Sequence, residues 1–148
     1  MARRTLLLTG GVFLACAILG AALVYDGALL GSGAPAPMAV RVANDGAQEI
    51  TALIEVNALD DGWSGRSQQP VAPGSTREMR IDRVLAGDVF VKVTVSWSGA
   101  DGRERRGDLG VIVDPATCAS GETMVVAFRV DTAAGVSFGP TERVCQRL

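Results

Sequence analysis

Asp60 and Asp61 stand side by side ahead of Gly62 and Trp63, and this short stretch could bind a cation or a protein. Carboxylates next to a glycine turn suit Ca²⁺, but the spacing is not that of an EF-hand and no distal ligand can be identified. Trp63 could instead anchor a partner, because exposed tryptophans are frequent hot spots of interfaces. A third interpretation, which we favour, is a solvated turn whose tryptophan folds over the end of the domain. We therefore predict no metal site.

A small charged patch over residues 103–106 is a second candidate for partner contact. Its arginines could contact an acidic partner, although charge of this kind also keeps a hairpin soluble and prevents edge pairing. The polar stretch that we predict as a loop over 57–75 supplies a further basic residue. The hypothesis of a protein contact therefore names six residues: Asp60, Asp61, Trp63, Arg66, Arg103 and Arg105.

The sequence contains no histidine. The commonest general base and the commonest metal ligand are thereby removed together, which excludes Ser-His and Cys-His triads and His-ligated zinc or copper sites. Carboxylates alone could support glycosidase-like chemistry, but Glu49, Glu55 and Glu78 are scattered over short predicted strands. We therefore expect no catalytic residue and no cofactor, and we predict that the protein is not an enzyme.

Two of the three cysteines, Cys118 and Cys145, lie outside the apolar N-terminal run. An even pair on the oxidising side of a membrane is typical of a disulfide. Such a bridge would close a loop of about 28 residues and contribute about 3–4 kcal/mol to the free energy of unfolding. A redox-active or metal-binding pair would normally show a C-x-x-C spacing, which is absent. The spacing therefore predicts a structural disulfide.

The apolar N-terminal run bears on the compartment in which we expect the domain to lie. Residues 5–25 are uncharged and follow two arginines, and as a helix they would span about 31 Å, which is the thickness of a bilayer's hydrocarbon core. The arginines favour a cytoplasmic N-terminus. We favour a retained transmembrane anchor over 1–25 that contacts the membrane through 5–25. A cleaved signal peptide with small residues at 20–22, or a lipoprotein signal at Cys16, are the alternatives.

A Gly-, Ala- and Pro-rich tether over 26–37 leads from this run into a domain over 38–148. The 14 basic residues less the two at the N-terminus leave 12, against 16 acidic residues, so that 26–148 carries a formal charge of −4. A mildly acidic domain without a basic cluster argues against nucleic acid as a partner. We expect a single-pass protein of the cytoplasmic membrane whose domain is extracytoplasmic or periplasmic, with secretion as the alternative.

The domain has the hydrophobic period of β-strands. From Val89 to Trp97 every second residue is apolar, which indicates a half-buried strand. Gly, Pro and Asp turns separate the strands, and no amphipathic helix intervenes. The pattern predicts an all-β fold, a single antiparallel β-sandwich of about seven strands. The strand predictions are 38–44, 50–56, 76–82, 88–97, 103–113, 122–131 and a last short pair at 135–139 and 142–146.

Three features of the domain resemble immunoglobulin-like and fibronectin-III-like domains. They are the strand segment over 40–44, the Pro-Gly turn at 73–74, and residues 85–87, which lead into the strand of alternating apolar residues that begins at Val89. The resemblance covers most of 38–148 and implies two packed sheets. It implies no functional residue, because the tyrosine and the Cys-Trp-Cys spacing of those families have no counterpart here.

Two functional hypotheses follow. The first is a membrane-anchored, non-catalytic interaction module, such as an accessory subunit of a membrane protein assembly, which meets a protein partner near the membrane. The second is a secreted or periplasmic binding protein that is released by signal cleavage and holds a small ligand or glycan on one sheet. The first is preferred, because two tryptophans and one tyrosine offer few surfaces on which a sugar could stack.

Overall fold

A computed structural model describes residues 36–133, 135–139 and 141–147. The predicted anchor over 1–25 and nearly all of the tether lie outside the described residues. Within these ranges no helix is long and apolar enough to cross a bilayer. The one helical turn that they contain is the 3-10 helix Pro115–Thr117. The strands are β1 Ala36–Asn44, β2 Ile50–Ala58, β3 Ser64–Val71, β4 Thr76–Leu85, β5 Val89–Ser98, β6 Glu104–Val113, β7 Thr123–Asp131, β8 Ser137–Phe138 and β9 Glu142–Gln146.

The nine described strands form two sheets, which confirms the all-β fold and the β-sandwich. Sheet A has the order β4-β1-β7-β8, and β9 pairs with β7 as well. Sheet B has the order β3-β2-β5-β6, and every pair in it is antiparallel. In sheet A, however, β1 and β7 run parallel, with Met38 opposite Met124 and Val42 opposite Phe128. The prediction of a purely antiparallel sandwich was therefore wrong.

The core lies between the two sheets. In β2 and β5 alternate residues are buried, and their apolar positions face inward as the period of two predicts. Phe128 of β7 is the largest fully buried side chain, and Met38 of β1 is the next. Both faces of β1 and β7 carry buried residues, including Ala39 and Val125, because these strands occupy the middle of sheet A. The burial is that of a two-layer fold with one shared core.

Two predicted boundaries need correction. The stretch over 57–75 is not one loop, because β3 occupies Ser64–Val71 and pairs with β2 along its length. Its inward positions are Gly65, Ser67 and Gln69, which lack the apolar alternation of a core strand. The tether also ends earlier than predicted, because Ala36 already pairs with Leu85 of β4.

The sandwich has two distinct ends. The proximal end is the end at which β1 begins. In sheet A, Ala36 pairs with Leu85 there. In sheet B, Val89 pairs with Ala58 on one side and with Val113 on the other. These pairs share one end because a connection of three residues joins β4 to β5. The distal end is where β1 and β3 terminate and where the β5–β6 hairpin turns.

Candidate functional site

Asp61 organises the loop between β2 and β3. Its Oδ1 accepts a hydrogen bond of 2.8 Å from the backbone N–H of Trp63, and its Oδ2 accepts one of 3.1 Å from the guanidinium of Arg83. An aspartate that accepts from the N–H two residues on is a common turn former. The side chain of Asp61 is therefore engaged in shaping the loop and in joining it to β4.

Asp60 packs against the turn between β4 and β5. Its carboxylate lies where a side chain on Gly87 would be, and Gly87 has a φ of 72°, which favours glycine. The N–H of Leu59 donates a hydrogen bond of 2.9 Å to the carbonyl of Asp88. Among the described residues no group of three or more Asp, Glu, Cys or His side chains is placed to hold a metal ion. The two aspartates are thus placed to join the proximal loops.

Trp63 is partly buried and packs on the core. Its indole ring covers Gly65 of β3, where an added Cβ would come within 2.6 Å of the ring, and that Cβ would also meet Met79 of β4 at 3.4 Å. Trp63 therefore covers the edge of the core at a point where β3 supplies only small and polar side chains. This placement agrees with the interpretation of a tryptophan folded over the end of the domain.

Arg66 belongs to β3 and not to a loop. It is exposed on the outer face of sheet B, directly opposite Glu55 of β2. A shallow hollow of ≈ 120 Å³ is lined by Glu55, Arg66 and three small or polar neighbours, Asn57, Ser64 and Gly65. β3 is an edge strand, so Arg66 would be accessible to a partner that approaches that edge.

Arg103 and Arg105 lie at the distal end, in and after the β5–β6 turn. Asp101 accepts a hydrogen bond of 3.2 Å from the N–H of Arg103 and forms an ion pair of 3.7 Å with the side chain of Arg105. The length of β2, about 25 Å, separates this turn from the loop of Asp60. The six candidate residues therefore do not form a single surface.

Sequence reasoning missed a charged cluster on the outer face of sheet A. The carboxylate of Glu78 lies between two guanidinium groups, 2.6 Å from that of Arg80 and 2.6 Å from that of Arg41. These hydrogen bonds hold the pKa of Glu78 below its ordinary value of 4.5. On the same face Arg129 is bonded to Asp45, at 2.8 Å and 3.1 Å, and lowers the pKa of Asp45. Arg41 and Glu78, and likewise Arg129 and Asp45, come from separate segments of the chain, so no local sequence pattern indicates the cluster.

Exposed apolar side chains at the proximal end were also missed. Leu59, Val84 and Ile112 are 54%, 50% and 52% exposed, although they belong to three separate segments of the chain. Two hollows adjoin them. One of ≈ 300 Å³ includes Val84 and Pro37 in its lining, and one of ≈ 330 Å³ includes Ile112 and Asp88. Val84 is on the outer face of sheet A at the β4 edge, and Ile112 is on the outer face of sheet B at the opposite, β6 edge, so these side chains do not form one patch.

The predicted disulfide between Cys118 and Cys145 is confirmed. It joins the residue after the 3-10 helix to the edge strand β9, across a Cα–Cα distance of 5.5 Å. Cys118 is buried and Cys145 is exposed. Because β9 has five residues and pairs only along β7 among the described strands, the bridge is a second attachment for it.

Comparisons with known proteins do not assign the chain to a family. No protein-family model matches it, and no curated protein matches it. Among solved structures, the crystal structure of the human-specific toxin intermedilysin aligns with 73% of this chain and 23% of that chain, at 14% identity and a TM-score of 0.35. The chain thus spans less than a quarter of that toxin. A likeness this low supports no conclusion about fold or function.

Proposed function

We propose that this chain is a single-pass membrane protein whose extracytoplasmic β-sandwich is a non-catalytic interaction module, an accessory subunit of a membrane protein assembly. The observation that carries the proposal is a disulfide-bonded β-sandwich preceded by 21 uncharged residues behind two arginines. Disulfides persist in oxidising compartments, and an apolar run of this length can deliver a domain there while holding it at the membrane.

The absence of histidine from the sequence supports a binding role over a catalytic one. The candidate residues that the structure describes also serve local structure. Asp61 shapes a turn, Trp63 covers the core and Asp101 pairs with Arg105. Polar groups that are engaged with one another in this way are poor candidates for acid–base catalysis, which needs a group poised to exchange a proton with a substrate.

The edge strand β6 is the contact surface that we favour. It runs for ten residues without proline, and its residues 109–113 are uncharged. The other edge of sheet B, β3, contains Pro70, which cannot donate to a ladder of hydrogen bonds. An extended segment of a membrane-proximal partner could therefore add to sheet B beside β6 by β-augmentation, while Arg105 and Arg106 limit pairing at its distal half.

Membrane attachment is tested first. Alkaline carbonate extraction of membranes should leave the intact chain in the pellet, and N-terminal sequencing should read from Met1 or Ala2. A carbonate-soluble chain whose N-terminus begins near Leu23 would contradict the anchor. That result would favour the released binding protein instead.

Partner contact is then tested by site-specific photocross-linking in native membranes. Asp108 of β6 and Gln68 of β3 lie in the same cross-strand row at opposite edges of sheet B, and both are exposed. A photoreactive residue at Asp108 should capture a membrane protein, and the same residue at Gln68 is the matched control. Equal capture from both positions would contradict the β6 edge, and recovery of the monomer alone from both would contradict an interaction module.

A further inference from the structure

We propose that the partner of the β6 edge is a second copy of this chain, and that the two β6 strands pair antiparallel about a two-fold axis at Gly107. The inference rests on the proposed function, because it takes the β6 edge as the contact surface. It deepens that function by naming the partner and the register. Three properties of β6 support it: the direction of its backbone groups, the symmetry of its charges and the lack of a side chain at its centre.

The backbone of β6 can bond to a second strand on either side of Gly107. The N–H of Gly99 donates a hydrogen bond of 2.8 Å to the carbonyl of Arg103, and β5 pairs with β6 from there without a register shift. Hydrogen-bonded and non-hydrogen-bonded pairs alternate along an antiparallel ladder. The backbone groups of 105, 107 and 109 therefore bond to β5. Those of 104, 106, 108 and 110 point to the outer edge of β6, which is the last described strand of sheet B.

The charges on the outer face of β6 are self-complementary about Gly107. Arg106 and Asp108 flank Gly107, both are on the outer face, and both are exposed. In a two-fold antiparallel pair centred on Gly107, Arg106 of each copy lies directly opposite Asp108 of the other. The two side chains then share one face, at the separation at which opposite charges stabilise a cross-strand pair. A two-fold interface requires a surface that is complementary to itself in this way.

Both side chains are available for such a pair. Arg106 has no ion-pair partner among the residues that the structure describes. Asp108 is 57% exposed, and Lys92 lies 3.5 Å from its Oδ2, so a second cation can reach the carboxylate. Arg106 limits the pairing of an unrelated segment at this part of β6, whereas a second copy meets it with a charge of opposite sign.

The charges also select the register. Strands centred on Arg105, Arg106 or Asp108 would place that charge against the same charge of the second copy, which is destabilising. Strands centred on Leu109 would bring no opposite charges together. Of these five centres Gly107 alone matches each outward charge with its opposite, and it does so twice because of the symmetry.

Gly107 suits the centre for a steric reason as well. Residues that face each other in a non-hydrogen-bonded pair approach to about 4.5 Å between their Cα atoms, and Gly107 would face its own copy in such a pair. Val136 packs where a side chain on Gly107 would lie. The closest approach of the two copies therefore involves no side chain of either strand. Because only one strand of each copy takes part, the contact is small, and we expect a reversible dimer.

Charge reversal tests this register. Two forms of the full chain with different C-terminal tags are produced in the same membranes, each with a photoreactive residue in place of the exposed Glu104, which belongs to neither charge pair. Irradiation should give a product of twice the mass of the 15.3 kDa chain that contains both tags. Arg106→Asp in both forms, or Asp108→Arg in both, should lower its yield about tenfold, because like charges then face each other twice.

A mixture of the two variants should restore the product. When one form carries Arg106→Asp and the other carries Asp108→Arg, opposite charges again face each other at both positions. Arg66→Asp is the matched control, because Arg66 is an exposed arginine on the outer face of β3, at the other edge of sheet B, and its reversal should change nothing. A yield that neither reversal lowers would overturn the proposal, and so would a mixture of folded variants that stays as low as each variant alone.

A second measurement uses the unaltered chain and so remains informative if a variant does not fold. Amide hydrogen exchange is followed in detergent at low and high protein concentration. The amides of Arg106 and Asp108 should exchange about tenfold more slowly at high concentration, and the amides of β3 should not change. Exchange that is equal at both concentrations would overturn the dimer.

The photoproducts separate failure of this inference from failure of the proposed function. A product that contains one tagged chain and a different membrane protein, without any doubly tagged product, would overturn the second copy as partner and leave the interaction module standing. A chain that gives no product from Glu104 or from Asp108 would refute the proposed function itself.

Discussion

The side-chain amide of Asn44 donates a hydrogen bond of 2.9 Å to the carbonyl oxygen of Val71. Asn44 ends β1 in sheet A and Val71 ends β3 in sheet B, so this bond connects the two sheets at the distal end. The amide also donates to the carbonyl of Gln48 at 2.7 Å, and the Asn44 oxygen accepts from the N–H of Gly46 at 3.0 Å. Asn44 is fully buried, and every polar atom of its side chain is used.

Asn44→Ala should lower the free energy of unfolding by about 2–3 kcal/mol, because it leaves buried backbone groups without a partner. Urea denaturation of the wild type and the variant measures this loss. Gln48→Ala is the control, since Gln48 contributes only its backbone carbonyl and its side chain is exposed. If both variants unfolded at the urea concentration of the wild type, the bond between the sheets would have no energetic importance.

Glu78→Gln should destabilise the protein at neutral pH by about 1 kcal/mol, because its ion pairs with Arg41 and Arg80 are only partly shielded from water. The pKa of Glu78 is lowered in the folded state, so its contribution is complete above the ordinary value of 4.5 and is lost as the pH falls through the folded-state pKa. The difference in stability between the wild type and the variant should therefore shrink as the pH falls below 4.5. Urea midpoints at pH 7 and pH 3 test this, with the exposed Glu49→Gln as control. A difference of the same size at both pH values would contradict the assignment.

Loss of the disulfide should cost about 3–4 kcal/mol and act first on β9. The comparison is the wild type against the double variant Cys118→Ala, Cys145→Ser, by thermal unfolding and by amide hydrogen exchange. Protection should fall most at Val144 and its neighbours, since the remaining attachment of β9 is its pairing with β7. A uniform loss of protection over both sheets would show instead that the bridge stabilises the whole fold. Intact-mass measurement before and after reduction should show the gain of two hydrogen atoms.

Gly65→Ala should displace the indole of Trp63, because the added Cβ would come within 2.6 Å of the ring. Overpacking of this kind costs about 1–3 kcal/mol. The emission of Trp63, read in a Trp97→Phe background, should shift to longer wavelength as the ring becomes solvated. Ser64→Ala is a matched control at the neighbouring exposed position, and it should leave the spectrum unchanged. An unshifted spectrum in both variants would mean that Trp63 does not rest on Gly65.

The parts of the fold that are local were predictable. The alternation from Val89 to Trp97 correctly located β5 and its buried face, because a period of two is a property of one strand alone. β3 was missed because an edge strand can satisfy the fold with Gly65, Ser67 and Gln69 inward, and the ring of Trp63 covers Gly65. The large apolar side chain at this point of the core therefore comes from Trp63 in the loop before β3, and not from β3 itself.

The parts that depend on pairing were not predictable. Nothing in the sequence near Met38 indicates that its neighbour in sheet A is Met124, or that the two strands run parallel. The cluster around Glu78 depends on the same register, because Arg41 and Glu78 come from separate segments. The disulfide was predictable without the register, since only two cysteines lie outside the apolar run.

The parallel pairing of β1 with β7 has a consequence for biogenesis. β1 occupies the middle of sheet A, yet the strand on one side of it is separated from it by more than half of the polypeptide. Contacts so remote form late, because the entropy cost of closing a long loop must be met before the contacts can stabilise the fold. During synthesis the edge of β1 that pairs with β7 therefore stays unpaired until β7 has emerged from the ribosome. Until that pairing forms, the exposed edge of β1 makes the incomplete chain prone to aggregation.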